Sequence, residues 1–274
     1  MTLCTVLGAS GFIGSRLAAH LRAQGHTVQT PQRGDETMGG QPLGQVFYCI
    51  GLTADFRVRP LDTLHAHVGV LEHVLRHARF DSLLYLSSTR VYAGADYAHE
   101  DADLRVQPQD PSSLYNLSKL AGEALCLHSG RPGVRVARLS NIVGPGMDAA
   151  SGNFVATLLR DARAGHIELR SSPDSAKDYL HIDDLVAWLP RIAALGQANV
   201  YNVASGVQTR HAQWLQWLEQ ATGCTWAVQA PAPEQSFAPI HIQRLTAEFG
   251  VTPRPINDWL AAELSSPTRS HHGQ

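Results

Sequence analysis

The sequence predicts an α/β protein whose core is a Rossmann-like, doubly wound parallel sheet, followed by a small C-terminal lobe. Short apolar runs alternate with segments of helical periodicity up to Gly144, a glycine-rich turn follows the first apolar run, and the alternation loosens after Gly146. Buried apolar strands that alternate with helices are typical of parallel sheets covered by helices on both faces. We therefore expect a sheet domain followed by a smaller lobe.

The first strand, turn and helix are the clearest elements of the sequence. Residues 3–7 form a short apolar run that ends at Gly8, as a buried parallel strand does, and apolar residues recur at helical spacing over residues 13–21. Residues 27–30 predict a second strand, which Pro31 must end because proline has no N–H to donate within a sheet. The opening unit is therefore strand, glycine turn, helix and strand.

Later segments continue the same alternation of strands and helices. We predict further strands at residues 45–50, 82–87, 134–139, 167–170 and 200–203. We predict helices at residues 61–79, 115–128 and 154–164, from about residue 183, after residue 208 and at residues 256–264. The polar segment 265–274 is predicted to be a disordered tail.

Composition and charge exclude several classes of protein. The 274 residues carry a formal net charge of -2 without a long run of one sign, so the basic surface of a nucleic-acid-binding protein is missing. The N-terminus lacks the features of a secretion signal, and no apolar run approaches the ~18 residues of a membrane span, which predicts a cytoplasmic protein without membrane contact. Four scattered cysteines predict free thiols and no metal site.

A glycine-rich turn predicts a dinucleotide-binding site. The segment Gly8-Ala9-Ser10-Gly11-Phe12-Ile13-Gly14 joins the first strand to the first helix, which is the context in which such glycines are informative. The first glycine permits the tight turn, the second lets a pyrophosphate approach the backbone, and the third lets the helix pack closely on the strand. A tight turn without a ligand is the alternative. We expect cofactor contacts from Gly8, Ser10, Gly11, Phe12, Ile13 and Gly14.

The residues after the second strand predict the type of cofactor. An acidic residue there binds the ribose 2′-hydroxyl of NAD(H), whereas a basic residue accommodates the 2′-phosphate of NADP(H). Here Gln32 and Arg33 occupy that place, and the first acidic residue is Asp35. We therefore predict NADP(H) in preference to NAD(H), with Arg33 at the phosphate. The alternative is that Arg33 is only a solvated loop residue.

Tyr115 and Lys119 are candidate catalytic residues. They are four residues apart on a predicted helix, so their side chains lie on one face. A phenol has a pKa of about 10 and is a poor base at neutral pH, but a neighbouring ammonium and the positive nicotinamide ring favour its ionised form. Tyr115 would then transfer a proton to or from a substrate. The alternative is an ordinary helix face, on which such a pair is common.

Hydroxyl side chains end the strand that precedes this helix. Ser87, Ser88 and Thr89 follow the apolar residues 83–86, at the carboxyl edge of the sheet where ligands of such folds bind. A hydroxyl at this edge can hold a substrate oxygen, although hydroxyl residues also form ordinary turns. The order of glycine turn, hydroxyl-ending strand and tyrosine–lysine helix makes an active site the better interpretation.

These motifs together resemble the extended short-chain dehydrogenase/reductase family, also called the NAD-dependent epimerase/dehydratase family, over nearly the whole chain. The run Ser87-Ser88-Thr89-Arg90-Val91-Tyr92 is similar to the family segment that carries the catalytic hydroxyl, which would be Ser88. Tyr115 and Lys119 match the catalytic pair of the family. The resemblance therefore implies a catalytic set of Ser88, Tyr115 and Lys119.

The resemblance also implies further cofactor and substrate contacts. Ile50-Gly51-Leu52-Thr53 is similar to the same stretch of UDP-glucose 4-epimerases, which implies that Gly51 lies at the cofactor. Thr89 follows the catalytic hydroxyl and would contact the substrate, and Asn141 would lie near the substrate's phosphates. Lys177 would meet the diphosphate from the segment that returns to the sheet.

The division into domains follows from the same resemblance. Residues 1–145, with residues 176–205 returning to them, would form the dinucleotide-binding domain. Residues 146–175 and 206–264 would form the substrate lobe, and residues 265–274 the disordered tail.

Several positions depart from the family pattern. Only about a dozen residues separate the second strand from the next, so the usual third strand, its helix and the acidic residue that touches adenine are missing. His67 replaces an asparagine, and Lys177 replaces an arginine, supplying charge without the bidentate fork. Thr89 and Arg90 stand where sugar-nucleotide dehydratases carry Asp-Glu, so elimination of water is not expected.

The function implied is NAD(P)-dependent oxidoreduction at a carbinol or ketone carbon of a nucleotide-linked sugar, by an epimerase or a 4-ketoreductase. The motif resemblance favours the epimerase, whereas the indication of NADPH at Arg33 favours the reductase, so both stay open. Relatives commonly pair through two helices, which is compatible with a homodimer. The alternative from another class is a protein that senses NADP(H), or a scaffold, without catalysis.

Overall fold

The computed structural model describes residues 1–53, 55–235 and 237–265. The strands are β1 (Leu3–Leu7), β2 (Thr27–Gln29), β3 (Gln45–Tyr48), β4 (Ser82–Ser88), β5 (Val134–Leu139), β6 (Asn141–Val143), β7 (His166–Leu169), β8 (Ala176–His181), β9 (Val200–Val203), β10 (Gln208–Arg210) and β11 (Thr225–Val228). The helices are α1 (Phe12–Ala23), α2 (Pro60–Leu64), α3 (Val70–His77), α4 (Ser113–His128), α5 (Phe154–Arg163), α6 (Ile182–Leu195), α7 (His211–Thr222), α8 (Gln243–Phe249) and α9 (Ile256–Ser265). Residues 266–274 of the predicted tail lie outside the described residues.

A six-stranded parallel sheet with the order β2-β1-β3-β4-β5-β9 forms the centre of the molecule. After β2 the chain crosses back over β1, so β1 lies between β2 and β3 in the sheet. In doubly wound folds the carboxyl edge of the sheet at such a reversal is the place where ligands bind. The sheet ends at β2, which has only three residues.

Alternating strand residues supply the cores on the two faces of this sheet. Phe47 and Leu84 share a buried cluster with residues of α1 and α6, whereas their neighbours Val46 and Leu83 share one with residues of α3 and α4. Successive side chains of a strand point to opposite faces, so a continuous apolar run serves a sheet that is covered on both sides.

The predicted helix 61–79 contains a π-helical turn, His65–Gly69, between α2 and α3. The wider turn leaves two backbone carbonyls for side chains of the sheet: the Tyr48 hydroxyl donates to Ala66 O at 2.6 Å, and the Tyr85 hydroxyl donates to His67 O at 3.2 Å. A Cβ at Gly122 of α4 would clash with the Tyr85 hydroxyl. The glycine therefore lets α4 pack closely on β4.

The chain after β5 also builds smaller sheets and a separate core. The strands pair in the orders β10-β8-β6 and β11-β7. Apolar residues of α5, α7 and α9 surround Trp214, which is fully buried, so this tryptophan packs the lobe. β8 pairs with β6 and β10, whereas α6 and β9 pack in or on the central sheet. The predicted domain boundaries stay a prediction.

Most of the predicted elements are present, and the elements that were not predicted are short. Five elements, β6, β8, β10, β11 and α8, were not predicted from the sequence. Of these strands, β6 and β10 have only three residues each, too few to show a period of two. In the described part of the chain, no helix is long and apolar enough to cross a membrane.

Candidate active site

The glycine turn after β1 leaves room for a ligand at the start of α1. Gly8 has a φ of 84°, which L side chains rarely adopt, and a Cβ there would lie 2.9 Å from the backbone of Cys49. A Cβ at Gly14 would clash with the Gly8 carbonyl. Gly11 precedes α1 without a side-chain cap, so the first N–H groups of the helix are available to an anion.

The other predicted cofactor contacts lie around this turn. Ser10 is exposed, whereas Phe12 and Ile13 are partly buried and pack against the core of the sheet. Arg33 is exposed in the loop that follows β2. Solvent therefore reaches the turn and the loop from the same carboxyl side of the two strands.

Gly51 brings the loop after β3 against the helix that carries the catalytic candidates. A Cβ at Gly51 would lie 3.4 Å from Nε2 of His67 and 3.5 Å from Nζ of Lys119. The structure therefore places the predicted cofactor contact Gly51 directly beside Lys119.

Tyr115 is buried among aromatic and polar groups. Its ring centroid lies 5.4 Å from that of Phe56 and 5.3 Å from that of His67. Burial raises the pKa of Tyr115, while the Ser88 hydroxyl and the Arg90 guanidinium act in the opposite direction. The Arg90 guanidinium carbon lies 5.7 Å from the centroid of the Tyr115 ring. Ser88 and Tyr115 thus face each other at the end of β4.

Lys119 is buried one helical turn further along α4. Its Nζ donates a hydrogen bond to Leu86 O at 2.8 Å. Burial lowers the pKa of Lys119 to about 7, and the carboxylate of Glu123 acts against that shift. The phenolate of Tyr115 was predicted to be favoured by the Lys119 ammonium, whereas in the structure the cation that acts against the raised pKa of Tyr115 is Arg90.

A chain of hydrogen bonds through His67 connects the loop after β3 to α4. The Leu52 N–H donates to Nε2 of His67 at 3.2 Å, so this nitrogen carries no proton and Nδ1 carries one. Nδ1 lies 2.8 Å from Oγ of Ser118, which donates its own proton to Tyr115 O at 2.9 Å. Burial and the charge of Lys119 lower the pKa of His67 to about 3, which keeps the ring neutral.

The predicted substrate contacts differ in their burial and in their partners. Thr89 is buried in a short 3₁₀ turn, Thr89–Tyr92, at whose start the Ser88 Oγ accepts from the Arg90 N–H at 3.2 Å. Asn141 is exposed on β6, and its Nδ2 donates to Asp178 O of β8 at 2.8 Å. Lys177 is partly buried. Burial lowers the pKa of its ammonium group, and the charge of Arg90 lowers it further.

A family model matches this chain over residues 4–204, and its description is the NAD dependent epimerase/dehydratase family. The chain belongs to the NAD dependent epimerase/dehydratase family. The match covers the glycine turn, the carboxyl end of β4, the Tyr115–Lys119 helix and the central sheet through β9. The family and the fold class predicted from the sequence are confirmed.

Curated relatives of this epimerase/dehydratase family member are enzymes. It is 31% identical over 237 residues to the GDP-6-deoxy-D-mannose reductase of Pseudomonas aeruginosa, covering 75% of each chain. It is 27% identical over 247 residues to the dTDP-4-dehydro-6-deoxy-D-allose reductase of Streptomyces bikiniensis, covering 74% of this chain and 76% of the relative. The solved structure of RMD from Pseudomonas aeruginosa complexed with NADPH matches with a TM-score of 0.78 and 27% identity, over 96% of this chain and 98% of the other.

Two residues of this family member acquire a place in the site that the sequence analysis did not give them. Arg90 was noted only as a departure from the dehydratase pattern, and His67 only as a substitute for asparagine. Arg90 could have been found from the sequence, because it stands two residues after Ser88. His67 could not, because its hydrogen-bond partners Leu52 and Ser118 are distant from it in the chain.

Proposed function

We propose that this chain is an NAD(P)-dependent ketoreductase that acts on a keto sugar linked to a nucleoside diphosphate. Two curated relatives that it resembles over three quarters of its length are named as reductases of GDP- and dTDP-linked 6-deoxy sugars. Thr89 and Arg90 replace the acidic pair of the dehydratases, which argues against dehydration. The epimerase is the second candidate, and the resemblance of residues 50–53 to UDP-glucose 4-epimerases favours it.

The observation that carries the proposal is the state of Tyr115 beside Ser88 at the carboxyl edge of the sheet. Burial raises the pKa of this phenol, so the side chain is protonated at neutral pH. A protonated phenol is ready to donate a proton, which is what reduction of a ketone requires. The reverse reaction requires the phenolate, and the Ser88 hydroxyl and the charge of Arg90 act against the rise in pKa that burial causes.

The glycine turn fits a dinucleotide cofactor. Gly11 leaves the turn open, and the uncapped start of α1 presents N–H groups suited to a pyrophosphate. Gly8, Ser10, Gly11, Phe12, Ile13, Gly14 and Gly51 would hold the cofactor. When bound, the reduced nicotinamide supplies the hydride. Arg33 supports NADP(H) as the preferred cofactor.

In the proposed reaction the chain's own residues handle the proton. The phenol of Tyr115 donates its proton to the carbonyl oxygen as the adjacent carbon is reduced, which gives an alcohol. The Ser88 hydroxyl orients that oxygen, and Lys119 binds the cofactor ribose and supplies charge as the phenolate forms. Thr89, Asn141 and Lys177 would contact the nucleotide sugar. The cytoplasmic location and the homodimer stay predictions.

Replacement of Tyr115 by phenylalanine tests the proposal. We expect Tyr115→Phe to lower kcat for NADPH-dependent reduction of a nucleotide-linked 4-keto sugar by about 10²- to 10⁴-fold with little change in NADPH affinity, because only the proton donor is lost. The measurement is loss of NADPH absorbance together with product analysis. Tyr97→Phe, at an exposed tyrosine, is the matched control and should retain activity.

Cofactor turnover separates the candidate functions. Steady loss of NADPH supports a reductase, whereas interconversion of two nucleotide sugars without net loss of NADPH would replace it with an epimerase. Equal activity of wild type and Tyr115→Phe in a working assay would remove the catalytic assignment. Binding of NADPH without turnover of any nucleotide sugar would favour the sensing or scaffold alternative.

A further inference from the structure

Arg90 lies against both hydroxyl side chains of the candidate catalytic set. Its backbone N–H donates to Oγ of Ser88 at 3.2 Å, which holds the Ser88 oxygen at the start of the 3₁₀ turn Thr89–Tyr92. Its guanidinium carbon lies over the ring of Tyr115, 5.7 Å from the ring centroid. The backbone and the side chain of one residue therefore act on the two groups that would handle the substrate oxygen.

The phenyl ring of Phe56 supports the Arg90 guanidinium in this position. The guanidinium carbon lies 5.1 Å from the Phe56 centroid, and the ring centroids of Phe56 and Tyr115 are 5.4 Å apart. Phe56 is 2% exposed, so its ring is a packed part of the site. An aromatic face attracts a cation that lies within about 6 Å of its centroid. The Arg90 guanidinium is therefore held against two rings at once.

Arg57 connects the segment that carries Phe56 to the start of the catalytic helix. Its guanidinium carbon lies 4.4 Å from the Phe56 centroid, and its Nη2 donates to Oγ of Ser112 at 2.9 Å. Ser112 directly precedes α4, the helix of Tyr115. The segment after β3, the turn after β4 and the start of α4 therefore meet at the ring of Phe56.

The charge of Arg90 is not neutralised by an ion pair. In the described part of the chain, its guanidinium forms no ion pair with a carboxylate. Burial and then the charge of Arg57 lower the pKa of Arg90, whereas Asp110 acts in the opposite direction. The Arg90 side chain is half-buried, where water screens its charge less than at the surface. Its positive charge therefore acts on the aromatic rings beside it.

Each element packed around Tyr115 presents a different group to it. Ser88 of β4 and Arg90 of the following turn both act against the rise in pKa of Tyr115 that burial causes. The π-helical turn presents the ring of His67, whose pKa of about 3 keeps it neutral. Lys119 lies one turn further along α4. Among these groups, the charge that acts on the phenol of Tyr115 is that of Arg90.

We propose that Arg90 is a positioning residue for proton transfer by Tyr115. Its guanidinium, supported by Phe56, keeps the phenol ring in place and stabilises the phenolate that remains after the proton has left. Its backbone N–H keeps Oγ of Ser88 in a fixed position beside that phenol. The proposal rests on the proposed function, because it assumes that Tyr115 transfers a proton to or from the substrate.

The test removes the charge of Arg90 and keeps its backbone. In Arg90→Gln the backbone N–H still holds Ser88, so a change in activity reports the guanidinium. Without that charge the phenol of Tyr115 is a weaker acid, and we expect kcat for NADPH-dependent reduction of a nucleotide-linked 4-keto sugar to fall about 10-fold. In the oxidation of the alcohol product with NADP⁺, kcat should rise with pH as the phenolate forms, and in Arg90→Gln this rise should move to higher pH by about 1 pH unit.

Two further variants and a control accompany Arg90→Gln. Arg90→Lys keeps a cation and should recover part of the activity. Phe56→Leu keeps the charge but removes the ring that supports it, and should move the pH profile in the same direction by a smaller amount. Arg105→Gln is the matched control, because Arg105 is an exposed arginine paired with Asp96, and should leave the profile unchanged. Unaltered NADPH affinity shows that each variant is folded.

An equal fall of kcat at every pH in Arg90→Gln, with the pH profile in its wild-type position, overturns the proposal, because a loss of packing alone has that effect. Wild-type kcat in Arg90→Gln beside an inactive Tyr115→Phe also overturns it but leaves the reductase function intact. If Arg90→Gln does not bind NADPH, the pH profile of Phe56→Leu decides, and a wild-type profile there overturns the proposal. Failure of wild type to reduce any nucleotide-linked keto sugar contradicts the proposed function and this proposal with it.

Discussion

His67 shows how one side chain can connect the loop after β3 to α4. It is fully buried, it accepts a backbone hydrogen bond from Leu52, and it reaches the carbonyl of Tyr115 through Ser118. Both ring nitrogens are in use, and only the neutral ring satisfies them, because a second ring proton would face the Leu52 N–H. Loss of the neutral state would therefore separate residues 51–52 from α4.

This burial predicts a dependence of stability on pH. Burial and the charge of Lys119 lower the pKa of His67 from 6.5 to about 3, so below pH 6.5 the unfolded chain binds a proton that the folded chain does not. The contribution of His67 is present above pH 6.5 and is lost as the pH falls toward 3. We expect the free energy of unfolding to fall by about 3 kcal/mol between pH 6.5 and about pH 4 from this residue alone.

His67→Gln should reduce the change in the free energy of unfolding between pH 6.5 and about pH 4, measured by urea denaturation at a series of pH values. If the variant lowers this free energy equally at every pH, the pH dependence does not come from His67. His211 adds a similar slope, because burial and the charge of Lys177 lower its pKa to about 4. The exposed His128→Gln is the matched control.

At the scale of elements, α4 is fixed to the sheet by a buried ion pair. Glu123 accepts from Nη2 of Arg138 on β5 at 2.7 Å and from the Ser87 hydroxyl of β4 at 2.5 Å. The side chains are 3% and 6% exposed for Glu123 and Arg138. Glu123 and Lys119 lie one turn apart on α4, so the carboxylate that fixes the helix also favours the charged form of Lys119.

Removal of one partner of this ion pair should be strongly destabilising. We expect Arg138→Met to lower the free energy of unfolding by about 3–5 kcal/mol, because it leaves the Glu123 carboxylate buried without its partner. The exposed pair of Arg76 and Glu72 is the control, and Arg76→Met should cost about 0.5 kcal/mol or less. Glu123→Gln combined with Arg138→Met should recover part of the loss. A cost for Arg138→Met as small as that for Arg76→Met in chemical denaturation would rule out this function of the pair.

At the scale of the whole molecule, the central sheet stops at the short strand β2. The loop after it carries Arg33, which is exposed on the side where the adenosine end of a cofactor would follow the glycine turn. No further strand lies beyond β2 in the described chain, and the proposed preference for NADP(H) rests on the positive charge of Arg33.

We expect Arg33→Asp to weaken NADPH binding by about 10- to 100-fold while NADH binding stays unchanged or improves, because a charge-assisted hydrogen bond to the 2′-phosphate is lost. Fluorescence titration of both cofactors measures this change. Arg22→Asp, an exposed arginine at the end of α1, is the control for the change in net charge. Equal affinity of wild type for NADPH and NADH, or equal loss for both in Arg33→Asp, would contradict the NADP(H) preference.

The sequence by itself determined the elements and motifs whose signals are local. Apolar runs, helical periodicity and the glycine turn lie within short stretches, so the strands and helices of the parallel sheet, Tyr115 beside Lys119 on one helix face, and the family followed from the sequence. The pairing of β8 with β6 and β10, the bonds of His67, and the position of Arg90 over the Tyr115 ring depend on residues far apart in the chain. Only folding decides such contacts, because the free energy that selects them comes from packing and charge between elements and leaves no periodic pattern along the chain.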